Sequence, residues 1–117
     1  MITIHQIQLT ADQIDLINEK GHDAVPAQSA KLAVSIFGAD KFKAENFKFY
    51  TEAYQVDTTD LEKAFEWTNL WNNQKAVDVI GDHGYSSSTG DIFEVNGEYF
   101  MCGMMGFEKL EMMKEAA

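Results

Sequence analysis

The side chains able to do chemistry are few and gather late in the chain: Cys102, the single cysteine, His83 with the serines Ser86–Ser88, and the carboxylates around them. A cysteine nucleophile needs its thiolate stabilised by a helix N-terminus or a nearby cation. Cys102 stands instead between Met101 and Gly103, at the end of an apolar run poor in lysine. It reads as a small buried hydrophobe. Asp82, His83 and Asp91, with His22 or Asp23, are metal-ligand types, yet neither HxxxH nor CxxC occurs and an Asp-His neighbour pair is no ligand spacing. No metal and no cofactor are expected. Gly81–Gly90, GDHGYSSSTG, has the glycines and hydroxyls of a phosphate cradle but ends in Gly-Asp rather than Gly-Lys-Ser/Thr. Its aspartates would repel a phosphate, so it reads as a mobile polar loop. Carboxylate pairs for acid–base work, Asp82 with Asp91 or Glu94 with Glu98, are present without an arrangement that singles one out.

Aromatic and methionine residues form the remaining candidate group: Trp67, Trp71, Tyr99, Phe100, Met104, Met105 and Phe107. Such residues build ordinary cores and also adaptable binding surfaces. Met104-Met105 is the pair a core explains least, because it falls in a turn and turn tips are exposed.

The elements that must position these residues follow from period and punctuation. Ile2–Leu9 alternates as a first strand, with a slip at His5. Thr10-Ala-Asp-Gln13 matches a capping box and Gly21 a helix stop, predicting a helix over 11–20. Pro26 opens a second helix whose Ala27, Ala30, Leu32, Ala33, Ile36 and Phe37 follow at helical spacing before Gly38. A helix over 40–46 and a strand from Phe47 through Val56 come next. Thr59-Asp-Leu-Glu62 matches a second capping box and opens a helix on which Trp67 and Trp71, four apart, share one face. Ala76–Ile80 is a short strand or a buried turn. Asn96-Gly97 between two alternating runs signals a type I′ hairpin. Gly103–Gly106 is a second turn, and Phe107–Met112 a third strand or a closing helix. The fold class expected is α+β: a single compact domain over 1–117, two to three helices packed on a small antiparallel sheet ending in a C-terminal β-meander.

Composition narrows the function. Nineteen acids oppose nine bases for a net charge of −10, and every base is a lysine. Residues 1–58 carry eight acids and five lysines, and residues 59–117 carry eleven and four. Arginine supplies the bidentate contacts to phosphate and guanine. An acidic chain with none of it is a poor binder of nucleic acid, and an anionic membrane surface repels it too. The single cysteine suits a reducing interior, the N-terminus lacks a signal-peptide layout, and no apolar run nears the ~20 residues needed to span a bilayer. A cytoplasmic location is expected.

Ser86, Ser88, Gly90, Asp91, Ile92, Val95, Gly97, Tyr99, Cys102, Gly106, Phe107 and Glu108 follow the pattern of a serine pair, Gly-Asp-Ile, an alternating strand, a hairpin and Gly-Phe-acid. This segment resembles a small phage- and plasmid-borne module, the YodL-like segment, over about a fifth of the chain. Met104 and Met105 depart from the pattern, which has a polar or acidic residue before Gly-Phe. The resemblance implies a mobile-element or viral origin, host cytoplasm as the setting, and a role in modulating host factors. It carries no catalytic residues.

Two functions compete. The first is a non-enzymatic, acidic, phage-type accessory protein that binds another protein, with a basic host factor as the candidate, through Tyr85, the 103–106 turn with Met104 and Met105, and the acids Asp91 and Glu94. The second is a small enzyme or ligand-binding domain with a pocket between Trp67, Trp71 and the 81–90 loop, and His83 as its titrating group. A homo-oligomer is a third arrangement and requires an exposed apolar patch.

Overall fold

A computed structural model of the chain describes residues 1–81 and 84–111. The first helix, α1 (Ala11–Lys20), opens on a reciprocal cap. The Gln13 amide donates to the Thr10 hydroxyl at 3.2 Å, and Gln13 Oε1 accepts the Thr10 amide at 2.8 Å. Helix α2 (Pro26–Phe37) starts on Pro26, whose missing N–H is an orphan there anyway, and ends at Gly38 with φ +66°. Helix α3 (Leu61–Asn69) is capped by Asp60, whose Oδ1 accepts the amides of Glu62 and Lys63. Thr59 is therefore not the cap. A charged carboxylate one residue on reaches two orphan amides at once.

Six strands form one antiparallel sheet: β1 (Ile2–Ile7), β2 (Tyr50–Val56), β3 (Val77–Val79), β4 (Ile92–Val95), β5 (Glu98–Gly103) and β6 (Gly106–Lys109), in the order β3-β2-β1-β4-β5-β6. With three α-helices among the described residues, the class is α+β and the sheet ends in the β4–β5–β6 meander. Asn96 and Gly97 have φ of +53° and +78°, as a type I′ turn requires at both central positions. No helix among the described residues is long and apolar enough to cross a membrane.

Both sheet faces are covered, but unequally. Ile2, Ile4, Tyr54, Val56, Phe93 and Cys102 pack on one face under α3. Ile7, Tyr50, Ile92 and Met101 pack on the other with Val25, Ala27, Val34 and Phe42 from α2 and its flanks. The pairing of β1 with β2 shifts register between Ile4 and His5, since Ile4 faces Tyr54 and His5 faces Glu52. Ala53 is the extra residue, and it reverses the parity of β2: Tyr50 belongs to one face, Tyr54 and Val56 to the other. A two-residue period over 47–56 breaks for that reason. The strand begins at Tyr50 rather than Phe47, and 3₁₀ turns occupy Gly38–Lys41 and Ala44–Phe49 where a helix over 40–46 is expected.

A further difference lies after α3. The helix ends at Asn69, so Trp67 and Trp71 do not share a helical face; Trp71 sits beyond it in the left-handed region, φ +57°. That conformation costs about 1–2 kcal/mol for a residue with a Cβ. Two contacts hold it there: the indole meets the Tyr54 ring edge-on at 5.4 Å, and Nε1 donates to Ser86 Oγ at 3.2 Å.

Candidate functional site

The loop entering β4 is drawn into the protein, against its reading as a mobile polar segment. Ser87 is fully buried; its hydroxyl bonds to that of Thr68, and its carbonyl accepts from Asn69 Nδ2 at 2.8 Å. Gly90 has φ +99°, and a Cβ there would come within 2.8 Å of Val34 Cγ2. Only glycine lets the chain pass α2 so closely. Tyr50 Oη donates to the Gly90 carbonyl at 2.7 Å.

This passage delivers Asp91 to the interior, 2% exposed. Its Oδ2 accepts Gln6 Nε2 and the Ser88 amide, each at 3.0 Å, and its Oδ1 lies 3.3 Å from Tyr85 Oη. The fully buried Gln6 in turn accepts the Tyr85 amide at 3.1 Å and donates to the Tyr85 carbonyl at 2.8 Å. Tyr54 Oη donates to that same carbonyl at 3.0 Å. Burial pushes the Asp91 carboxyl up to about 7, against the lowering effect of these hydrogen bonds and of Lys31. Geometry points the same way. The Tyr85 phenol has one proton and two oxygens in reach, Ile7 O at 3.2 Å and Asp91 Oδ1 at 3.3 Å. When it donates to Ile7, a proton on Oδ1 completes the set. Lys31 Nζ lies 4.5 Å from the Tyr85 ring centroid; burial lowers its pKa, and Asp91 opposes that. Burial also raises Tyr85, Tyr50 and Tyr54, with the Asp91 charge adding to each.

A carboxyl titrating near neutrality beside a phenol and an amine has the ingredients of acid–base chemistry. It lacks room for a reactant. The cavity among Lys31, Val34, Tyr85 and Asp91 is about 10 Å³, no more than the ~10–15 Å³ one water needs. The cluster ties the loop to β1 and α2. Asp91 is thus corrected as a partner-contact residue, because no partner reaches it, and Tyr85 is half-buried with its hydroxyl directed inward. Glu94 is half-buried and bonds to the buried His5 Nε2 at 2.9 Å.

The other candidates fall into place around this. Cys102 is buried in the α3-side core, and burial, with the Asp91 charge adding, pushes its thiol up to about 12. Burial thus disfavours the thiolate that a nucleophile requires. Trp67 packs half-buried against the same core. Asp82 and His83 lie outside the described residues. Among the described residues no three His, Cys, Asp or Glu side chains converge as a metal site.

At the far end of the meander the arrangement inverts. Met104 and Met105, the two residues of the β5–β6 turn, are 83% and 101% exposed, and Ile36 and Phe37 at the end of α2 are 62% and 57% exposed. All four line one open groove of about 510 Å³, whose charged lining residues are Asp40 and Glu108. A second groove of about 280 Å³ lies on the α3 side of the same turn, between Glu62 and Phe65 of α3 and Cys102 and Phe107 of the sheet. Met104 and Met105 were legible as exposed from their turn position; Ile36 and Phe37 belong by spacing to the apolar stripe of α2, yet both stand in solvent. For Ile36 the signal was angular: at ~100° per residue it lies about 200° round the helix from the buried Val34, whereas Phe37 lies only about 60° from it and gave no such signal.

Comparison with protein-family models, with curated proteins and with solved structures finds no match.

Proposed function

We propose that this chain is a non-enzymatic accessory protein, of the phage or mobile-element type and acting in the cytoplasm, that binds and modulates another protein through the methionine turn. The observation that carries the reading is the exposed quartet Ile36, Phe37, Met104 and Met105 around one groove. Isolated apolar residues on a surface need no explanation, but a contiguous set lining a concavity does. Methionine, unbranched and polarizable, adapts to the partner it meets. The charges that line both grooves, Asp40, Glu108 and Glu62, are carboxylates, and the chain carries −10 overall. That favours a basic partner and raises its encounter rate at low salt. The mobile-element origin rests on the resemblance of Ser86–Leu110 to the YodL-like segment.

The test is site-specific photocrosslinking in bacterial cells, with a benzophenone amino acid at 105 and, as the control, at the exposed Lys75. A discrete adduct at 105, absent at 75 and reduced when lysates are brought to ~0.5 M salt, supports the reading. No adduct at 105, or the same adducts at both positions, removes it.

A further inference from the structure

Both grooves meet at one strand. Strand β6 ends the sheet, and nothing among the described residues pairs with its outer side. The Leu110 amide donates to Tyr99 O at 2.8 Å across the β5–β6 ladder, so by the two-residue alternation the backbone groups of 106, 108 and 110 point to β5. Those of Phe107 and Lys109 point outward. The side chains alternate in the other sense: Phe107 lines the smaller groove on the α3 face, and Glu108 lines the larger groove on the α2 face.

From this juxtaposition we infer that β6 accepts an extended segment of the partner protein, alternating apolar and basic residues, as a seventh antiparallel or parallel strand. The inference deepens the docking function proposed above and rests on it. An added strand satisfies the outward amides and carbonyls of Phe107 and Lys109, which gives affinity. Its successive side chains enter the two grooves in turn, which gives specificity. The occupant is cationic by charge complementarity. The charged residues of the two grooves are Glu62, Asp40 and Glu108, and the lysine of the strand, Lys109, is already engaged by Glu98 at 3.1 Å and Glu111 at 3.8 Å. The same charge opposes a second copy of this chain, since two molecules of net −10 repel. An edge lysine is also a common guard against pairing with like edges.

The test uses the full chain and three fluorescein-labelled peptides of about eight residues, a typical strand length. One alternates leucine and lysine, one alternates leucine and glutamate, and one has the leucine–lysine composition rearranged to a helical period. The alternating cationic peptide is expected to bind by fluorescence anisotropy and to slow amide hydrogen exchange at Phe107 and Lys109 by ~10-fold or more. Lys109→Pro removes one outward donor while leaving the β5 ladder intact, as proline on a sheet edge does. It is expected to weaken that binding by ~10-fold with the unfolding midpoint unchanged. Exchange at Phe107 and Lys109 in the unsubstituted protein gives the answer even where the variant folds poorly. Tighter binding of the helical-period peptide, equal binding of all three, or unchanged exchange at the two amides overturns strand addition. The crosslink at 105 stands or falls separately, so docking without strand addition remains distinguishable from no docking.

Discussion

The loop 84–91 and the turn 103–106 reverse the usual placement of polar and apolar groups within one meander. The loop is rich in serine, glycine and a carboxylate, and its Ser87 and Asp91 are buried and fully engaged; the turn is two methionines, and both stand in solvent. Burying a charged carboxyl is costly unless it is hydrogen-bonded, and Asp91 is bonded while burial favours its protonated form, raising its pKa to about 7. Exposing two methionines is costly in another sense, since their area stays in water. The first region spends its polar groups on structure, and the second leaves its apolar groups for something else. Chemical reactivity of residue types is therefore a poor guide here to where the molecule meets its surroundings.

The largest effect that tests this contrast is at Asp91. Asp91→Ala removes the acceptor of Gln6 Nε2 and of the Ser88 amide and leaves a hole among fully packed residues. The buried Gln6 donor left without its acceptor costs about 1–3 kcal/mol, and the part-buried Ser88 amide and the cavity add to it. Urea unfolding at pH 5.5 is expected to show a loss of about 3–4 kcal/mol. A loss below about 1 kcal/mol, the scale of a surface substitution, would mean that the loop is not held by this cluster.

Next is the dependence on pH. The folded pKa of Asp91 is raised from 3.8 to about 7 by burial, so the native state holds its proton more tightly than the unfolded chain. Its stabilising contribution is complete below about pH 4, falls as pH rises through about 7, and is flat above that. Asp91→Asn keeps the shape: its carbonyl takes the two donors at Oδ2 and its amide donates to the Tyr85 phenol, which donates to Ile7. Between pH 5 and 8 the unsubstituted protein is expected to lose about 2–3 kcal/mol relative to Asp91→Asn. Comparing the two cancels the general relief of self-repulsion on acidification, which both share. Parallel stability curves would show that Asp91 ionises normally.

Gly90→Ala comes third. A left-handed φ and a close approach to Val34 act together, and about 1–3 kcal/mol is expected in thermal or urea unfolding. A neutral result would mean that α2 and the loop separate easily, and the contrast between the two regions would weaken with it.

How much of this was legible depends on how far apart in sequence the deciding partners lie. The Thr10–Gln13 box and the Asn96-Gly97 hairpin were readable because cap, turn and partner sit within three or four residues. Asp60 displaced Thr59 by one position, a competition between adjacent residues in which aspartate is the stronger cap. The reversal of parity at Ala53 was visible only as a failed alternation, since a bulge is a property of the pairing with β1 and not of β2 alone. Asp91 and Gln6 are 85 residues apart, and nothing local to Gly90-Asp91 distinguishes a buried carboxyl from a solvated one. Gln6, a polar residue on the same parity of β1 as Ile2 and Ile4, was the one hint that the core holds a polar partner. Met104 and Met105 were readable for the opposite reason: a two-residue turn at the end of a sheet exposes its tip whatever else the chain does.

The smallest expected effect on stability is also the one that most sharpens the comparison. In Met104→Lys/Met105→Lys, neither side chain leaves a core, because both already stand in water, so unfolding free energy should change by less than about 0.5 kcal/mol. Added positive charge beside Glu108 and Asp40 is near neutral or slightly favourable for the folded chain. The same charge opposes a basic partner and removes the apolar anchors from the groove, so the photocrosslinked adduct formed from the neighbouring exposed Phe37 position should fall by ~10-fold or more. Stability unchanged with the adduct lost would separate the turn from the fold, as the contrast requires. A substantial loss of stability would show instead that the methionines support the sheet end, and the two regions would then differ in polarity but not in role.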